Sequence, residues 1–279
     1  MGILDDISYT IKLDIFMRIK MSFLTKTKAL ASLISKSFSS KKDPKYIFIL
    51  SHMRSRSSVL SHILGSNNSV CGYSELHNSY IHHTDIKKMK DTLYTDLKCD
   101  FRDKYLLDKI LHTEYKISKE VFDTVSPKII FLLRDPESTI KSIINMGYIT
   151  GIAWYKDPAK ASDYYCHRLS YLTNYAETFN GDGFFLESDK LINNTDQVLK
   201  ELTKWLNLNK PLMRKYKKFN NTGKPGYGDP SDNIQIGELI KTKGYPDIEI
   251  PLEILQVAAS SYEKCKNSLH TNVKIQTIK

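Results

Sequence analysis

The chain has 279 residues, of which 41% are hydrophobic, and it carries 41 Lys and Arg against 31 Asp and Glu, a formal net charge of +10. This length and composition favour one substantial core with peripheral additions. The positive charge predicts an anionic partner, but it does not distinguish a phosphate-rich cofactor from an acidic glycan, nucleic acid or a lipid surface.

Targeting signals and cysteine usage favour a cytoplasmic protein. The sequence contains no run of about 18 apolar residues, and its beginning lacks the apolar run and cleavage site of a signal peptide. The four cysteines are widely spaced and form no CxxC pair. Because disulfide frameworks need more closely grouped cysteines, we expect reduced thiols.

The first predicted element is a basic amphipathic helix from Ser8 to Phe38, within an N-terminal extension that spans residues 1–42. Its two interpretations are a peripheral contact with a membrane surface or partner, and an ordinary helix that packs on the domain. A polar junction at Ser37 to Lys42 separates it from residues 43–279, which we assign to the main domain.

Short apolar runs of strand length alternate with helical patterns through the main domain. Alternation of this kind predicts an α/β fold with three layers and a central parallel sheet with right-handed crossovers. The predicted strands are Tyr46 to Ser51, Lys104 to Lys109, Lys128 to Leu133 and Gly183 to Glu187. One predicted helix follows the first strand and ends near Leu64. The other predicted helices cover Glu137 to Asn145, Ala159 to Phe179, Thr195 to Leu206 and Pro251 to Lys264.

A donor-rich segment follows the first strand and opens the next helix. It contains five consecutive candidates for anion binding: Arg54, Ser55, Arg56, Ser57 and Ser58. A helix N-terminus beyond a parallel strand offers free N–H groups, and guanidinium groups add charge-assisted hydrogen bonds. The segment therefore predicts an anion site; an exposed basic turn is the alternative. The pattern GxxxxGK[ST] is absent, which argues against a nucleotide kinase.

A second candidate site follows the strand that ends at Leu133. Arg134 begins the sequence Arg-Asp-Pro, and Ser142 lies eight residues later on the following helix. A guanidinium at a strand end and a hydroxyl two turns along the helix are able to bind one phosphate together. The alternative is an Arg-Asp pair that joins strand to helix, with Ser142 incidental.

In this order and spacing the two segments resemble the sulfotransferases that use 3′-phosphoadenosine 5′-phosphosulfate (PAPS), in particular their bacterial and protein-tyrosine branch. The resemblance covers about residues 45 to 240, and Arg56 stands where the family has Gly. It implies a P-loop-like fold, PAPS as the donor and no required metal. It also implies a loop over the donor, to which it assigns Lys224, Gly226 and Tyr227.

The resemblance further implies roles in catalysis. Arg54 and Lys109 correspond to groups that stabilise charge on the leaving side of the transferred sulfuryl group. Glu75 matches the acidic residue that takes the proton from the acceptor, and His112 and His77 are rivals because histidine titrates near neutrality.

The predicted reaction is transfer of a sulfuryl group to a hydroxyl or amine of a glycan, lipid or small molecule. We expect no nucleic-acid partner, and the sequence carries no signal for oligomeric state. Two other hypotheses are a phosphoryl-transfer enzyme with a degenerate P-loop and a non-catalytic domain that binds anions or lipids.

Overall fold

The computed structural model describes residues 43–272 and 275–277, so the predicted N-terminal helix and the junction after it lie outside the described residues. The described chain forms one parallel sheet in the order β2-β3-β1-β4-β5-β6. The strands are β1 (Lys45–Ser51), β2 (Val70–Cys71), β3 (Tyr105–Ile110), β4 (Lys128–Leu133), β5 (Gly183–Glu187) and β6 (Ile275–Thr277).

Helices connect the strands and cover both faces of the sheet. They are α1 (Ser57–Gly65), α2 (His83–Leu97), α3 (Lys119–Val125), α4 (Pro136–Thr150), α5 (Pro158–Thr178), α6 (Ser188–Asn193), α7 (Thr195–Trp205) and α8 (Leu252–Asn272). Short 3₁₀ helices cover Ala153–Lys156 and Asp232–Ile236. None of the helices within the described ranges is long and apolar enough to cross a membrane.

Burial on both faces of the sheet explains why the strands are continuous apolar runs. In β1, Phe48 and Leu50 belong to the core beneath α4, α5 and α8, while Ile47 and Ile49 belong to the core beneath α1, α6 and α7. Because successive strand side chains point to opposite faces, a strand between two helical layers needs apolar residues at every position. The predicted α/β fold with three layers and a parallel sheet is confirmed.

Strand order places the loop after β1 at the point where the connections diverge. β1 pairs with β3 on one side and with β4 on the other, both in parallel register. In open parallel sheets the crevice beyond the carboxyl ends of such strands is where ligands bind. The loops that follow β1, β3 and β4 therefore lie close together at the carboxyl edge of the sheet.

The cysteines depart from the sequence prediction. Cys71 on β2 and Cys99, which follows α2, form a disulfide, whereas Cys166 and Cys265 are free. The prediction of four reduced thiols is therefore wrong. Residues 28 positions apart meet because β2 lies at the edge of the sheet and the chain after α2 returns to that edge.

Loss of this disulfide is expected to lower the free energy of unfolding by about 2–4 kcal/mol, because the bond restricts the unfolded chain. The measurement is thermal unfolding of the Cys71→Ser/Cys99→Ser variant with and without dithiothreitol. The wild type should lose stability when dithiothreitol is added, and the double variant should not respond. An equal response of both proteins would contradict the assignment.

Candidate active site

A cavity of about 320 Å³ lies beyond the carboxyl ends of β1, β3 and β4. It brings together residues that are far apart in the sequence and that the sequence analysis singled out. Those that line it are Arg54, Arg56, Ser57, Ser58, Glu75, His77, His112, Arg134, Ser142 and Gly226. The two predicted anion segments therefore belong to one site.

The loop after β1 has an unusual backbone. Arg54 has φ 62° and Arg56 has φ 70°, so both residues lie in the left-handed region. Arg56 precedes α1 and makes no side-chain cap, which leaves the first N–H groups of the helix without a side-chain acceptor. Ser55 points inward, where its hydroxyl lies 2.6 Å from that of Ser51. The loop therefore presents helix N–H groups and two guanidinium groups to the cavity.

The left-handed conformation of Arg56 predicts an inverted order of stability for two substitutions. Arg56→Gly is expected to be more stable than Arg56→Ala by about 1 kcal/mol, because both lose the guanidinium but only alanine keeps the strain. At exposed Lys200 in the middle of α7 the order should be reversed, with alanine the more stable. Chemical unfolding of the four variants measures both differences, and the same order at both positions would contradict the explanation.

Arg54 links the two anion segments directly. Its Nε donates to the Ser142 hydroxyl at 3.0 Å, and its terminal nitrogen donates to Asp229 Oδ1 at 3.0 Å. Burial alone would raise the pKa of Asp229, but the Arg54 guanidinium and the Ser231 N–H outweigh burial and hold it below its usual value. Asp229 was not among the candidates from the sequence, because its proximity to Arg54 depends on a fold contact over 175 positions.

Arg134 provides the clearest unsatisfied donor. One of its terminal nitrogens donates to the Arg54 carbonyl at 3.0 Å, while its buried Nε has no hydrogen-bond partner within the described chain. Burial, reinforced by the nearby Arg56, lowers the pKa of Arg134 to about 10. A buried cation with a free donor is costly unless an anion compensates it.

Arg56 has a carboxylate partner of its own. Its guanidinium donates to Asp189 Oδ1 at 2.5 Å and to the Ser188 hydroxyl at 3.0 Å, both at the start of α6. The contact connects the loop after β1 with the end of β5. It holds Arg56 at the side of the cavity next to Arg134.

A loop from residue 224 to 230 closes over the segment after β1. The Asp229 N–H donates to the Ser58 hydroxyl at 3.0 Å, and a Cβ on Gly228 would lie 2.8 Å from that hydroxyl. Gly228 has φ 135° and therefore suits this close approach. Gly226 lines the cavity, whereas Lys224 and Tyr227 are exposed and do not.

Lys109 lies beneath the anion loop at the end of β3. It is 1% exposed, and its Nζ donates to the Ser58 hydroxyl at 3.2 Å. Burial lowers its pKa, although Glu75, Asp108 and Asp229 act in the opposite direction. Lys109 does not line the cavity itself; its ammonium group contacts Ser58, which does.

Glu75 lies between the two rival histidines. Its side chain is 6% exposed, and Oε1 is 3.8 Å from both His77 Nδ1 and His112 Nε2. Oε1 has no hydrogen-bond partner within the described chain. Burial lowers the pKa of His112, which keeps that imidazole neutral at neutral pH. Glu75 therefore lies buried at the cavity wall, and its Oε1 accepts no hydrogen bond within the described chain.

A buried carboxyl group holds the segment that carries Glu75. Asp108 accepts hydrogen bonds from the Leu76 N–H at 2.9 Å and from the Tyr80 hydroxyl at 2.6 Å. It also accepts from the Lys109 N–H at 2.7 Å. Because Leu76 follows Glu75 directly, this network fixes the base candidate relative to the end of β3.

Arg168 on α5 holds the strand ends together. Its guanidinium is fully buried and donates to the carbonyls of Ser51, Ile110 and His112 at distances of 2.6 to 3.0 Å. Residues at these strand ends would otherwise have unpaired buried carbonyls. The sequence analysis missed Arg168, because an arginine in a helical pattern ordinarily indicates a solvent-exposed position.

Five tyrosines of α5 and of the 3₁₀ helix before it differ in their surroundings. Of Tyr155, Tyr164, Tyr165, Tyr171 and Tyr175, only Tyr155 lines the cavity. Tyr164 binds the Met53 N–H and the Leu111 carbonyl, and Tyr165 binds the Arg134 carbonyl. Tyr175 packs against Phe131 and Phe179, and Tyr171 stacks on Tyr175.

A metal cluster was not expected from the sequence. Within residues 43–272 and 275–277, no group of three or more His, Cys, Asp or Glu side chains is arranged to hold a metal ion. His82 is exposed and lies 3.9 Å from Glu120 at the surface, away from the cavity.

Solved structures share this fold, among them two sulfotransferase domains. A sulfotransferase domain from the curacin biosynthetic pathway aligns over 78% of this chain and 97% of its own length, with 17% identity and a TM-score of 0.50. A sulfotransferase domain from the Synechococcus PCC 7002 olefin synthase aligns over 79% and 96%, with 17% identity and a TM-score of 0.51. Comparison with protein-family models and with curated proteins gave no match. The chain therefore has the fold of sulfotransferase domains.

Proposed function

We propose that this protein is a sulfotransferase that uses PAPS as the donor and transfers its sulfuryl group to an acceptor hydroxyl. The observation that carries the proposal is the pairing, within one cavity, of a buried guanidinium with a free donor and a buried carboxylate with a free acceptor. The first fits an anionic donor and the second fits proton removal from the acceptor.

The cationic side of the cavity fits the donor in charge and in number of donors. Arg54, Arg56 and Arg134 approach one another, and Asp229 and Asp189 are their only direct carboxylate partners among the described residues. The N-terminus of α1 adds uncapped N–H groups. Arg134 and Ser142 would hold the 3′-phosphate, and residues 54–58 would hold the 5′-phosphosulfate. Gly226 would line the donor site in the closing loop, with Lys224 and Tyr227 beside it.

When it is bound, PAPS supplies an activated sulfuryl group. Glu75 accepts the proton of the acceptor hydroxyl, which raises the nucleophilicity of the oxygen. Arg54, and Lys109 through Ser58, stabilise the negative charge that develops on the leaving side. His112 and His77 flank Glu75, each with a ring nitrogen 3.8 Å from its Oε1. A carboxylate base is the arrangement of the bacterial and protein-tyrosine branch, with which we group this chain.

Calorimetry with 3′-phosphoadenosine 5′-phosphate and with 5′-AMP tests the donor assignment. The bisphosphate is expected to bind at least tenfold more tightly, because its additional phosphate finds the unsatisfied Arg134. The two nucleotides differ only in that phosphate, so 5′-AMP is the matched control. Equal affinity for the two would overturn the assignment.

A further inference from the structure

The cavity differs in character along its length. At the carboxyl ends of the strands it is lined by the guanidinium groups and by serine hydroxyls. Farther along it is lined mainly by apolar side chains from α4, the turn after it and the 3₁₀ helix that follows. These include Ile143, Met146, Ile152 and Tyr155.

The helix α4 provides the direction in which the cavity extends. Ser142, Met146 and Thr150 all line it and are spaced four residues apart, so they lie on one face of the helix. The rise of an α-helix places Thr150 about 12 Å from Ser142 along the axis. The apolar part therefore begins beside the proposed phosphate site and continues away from it.

The base candidate faces this apolar wall. The Tyr155 hydroxyl lies 3.6 Å from the sulfur of Met53, and Met53 directly precedes Arg54 in the anion loop. Burial raises the pKa of Tyr155, and the negative charge of Glu75 adds to this effect. An acceptor hydroxyl at Glu75 would therefore have its remaining atoms against Met53, Tyr155 and α4.

The apolar character continues beyond the mouth of the cavity. Three side chains at the end of α4 and in the following turn are well exposed: Ile149 (58%), Ile152 (38%) and Trp154 (37%). Exposed large apolar groups that adjoin one another usually mark a binding surface. Here Ile152 belongs both to this exposed group and to the cavity lining.

Charge excludes one class of acceptor. Of the described residues that line the cavity, the only Lys or Arg side chains are Arg54, Arg56 and Arg134, all at the donor side. The ionisable groups elsewhere in the lining include the carboxylates of Glu75 and Glu238. An anionic acceptor would find repulsion rather than an ion pair there.

We infer that the acceptor is a neutral alcohol or phenol with an extended apolar body, whose hydroxyl meets Glu75 and whose body lies along α4 toward Ile152. This inference rests on the proposed function, and it narrows the acceptor from glycans, lipids and small molecules in general. Apolar contact supplies the affinity and the single hydroxyl supplies the orientation.

Calorimetry on the protein saturated with 3′-phosphoadenosine 5′-phosphate tests the inference. Butan-1-ol, hexan-1-ol and octan-1-ol should bind more tightly in that order, by up to about fourfold for each added methylene. A 4-alkylphenol series is the second arm; a tighter series there supports the inference and identifies a phenolic source. Ile152→Ser should weaken octan-1-ol by about tenfold.

Val257→Ser is the matched control, because Val257 is a branched apolar residue that is 60% exposed on α8 and does not line the cavity. It should leave the affinity unchanged. Affinity independent of chain length, or tighter binding of glucuronic acid than of octan-1-ol, would overturn the inference. In either case normal nucleotide binding would leave the proposed function standing, whereas loss of the preference for the bisphosphate would remove the proposed function itself.

Discussion

Glu75→Gln is expected to lower turnover by about 10²- to 10⁴-fold, the range by which a positioned general base accelerates a reaction. The substitution keeps the shape of the side chain and removes the proton acceptor. Because Oε1 makes no hydrogen bond in the described chain, little packing should be lost. The measurement is transfer of radiolabelled sulfuryl group from PAPS to 4-butylphenol.

The affinity for 3′-phosphoadenosine 5′-phosphate should remain at the wild-type value in Glu75→Gln, because Glu75 lies on the acceptor side. Glu114→Gln is the matched control: Glu114 is exposed and close enough to influence His112, but it does not line the cavity. Unchanged turnover in Glu75→Gln would transfer the role of base to His112. His112→Asn would then show the large loss instead.

Arg134→Ala is expected to weaken the binding of 3′-phosphoadenosine 5′-phosphate by about 10- to 100-fold. A hydrogen bond to a charged group contributes about 1.5–3 kcal/mol, and about 1.4 kcal/mol corresponds to tenfold in affinity. Ser142→Ala removes a neutral donor from the same site and should cost less. Calorimetry measures both affinities.

The affinity for 5′-AMP should change little in Arg134→Ala, since that nucleotide lacks the phosphate assigned to Arg134. Arg214→Ala is the control for general loss of positive charge, because Arg214 pairs with Asp196 at the surface. Thermal stability without nucleotide should fall only slightly, because the substitution also removes a buried cation from beside Arg56. An equal loss of affinity for both nucleotides would contradict a contact between Arg134 and the 3′-phosphate.

Secondary structure was predictable where a segment is long enough to carry a clear apolar or periodic pattern. The apolar runs at Tyr46 and Lys128 became strands because a parallel sheet covered on both faces requires apolar residues throughout. The two-residue strand β2 and the three-residue strand β6 were missed, since such short segments carry no periodic signal. The helix α2 was also missed; its mean character is polar, and only Ile86, Met89 and Leu93 are buried.

The backbone conformation of Arg56 explains why the family has glycine at this position. The sequence placed an arginine where the resemblance leads one to expect glycine, and the structure gives that arginine φ 70°, a conformation that glycine adopts readily. The strained residue also forms an ion pair with Asp189, which glycine would lack. That contact joins residues 133 positions apart and depends on the order of β1, β4 and β5.

The α/β class and the two donor-rich segments could be predicted from the residues alone, because strand burial, helix N-termini and residue spacing along one helix are local properties. The folded chain was needed to show that Arg54 contacts Ser142 and Asp229, that Glu75 lies between His77 and His112, and that Cys71 bonds to Cys99. Apart from the local contact between Glu75 and His77, these contacts join segments whose proximity follows from the order of strands in the sheet. The sequence already proposed Glu75, His77 and His112 as candidates for the base. The structure added that Glu75 is buried and that its Oε1 has no hydrogen-bond partner within the described chain.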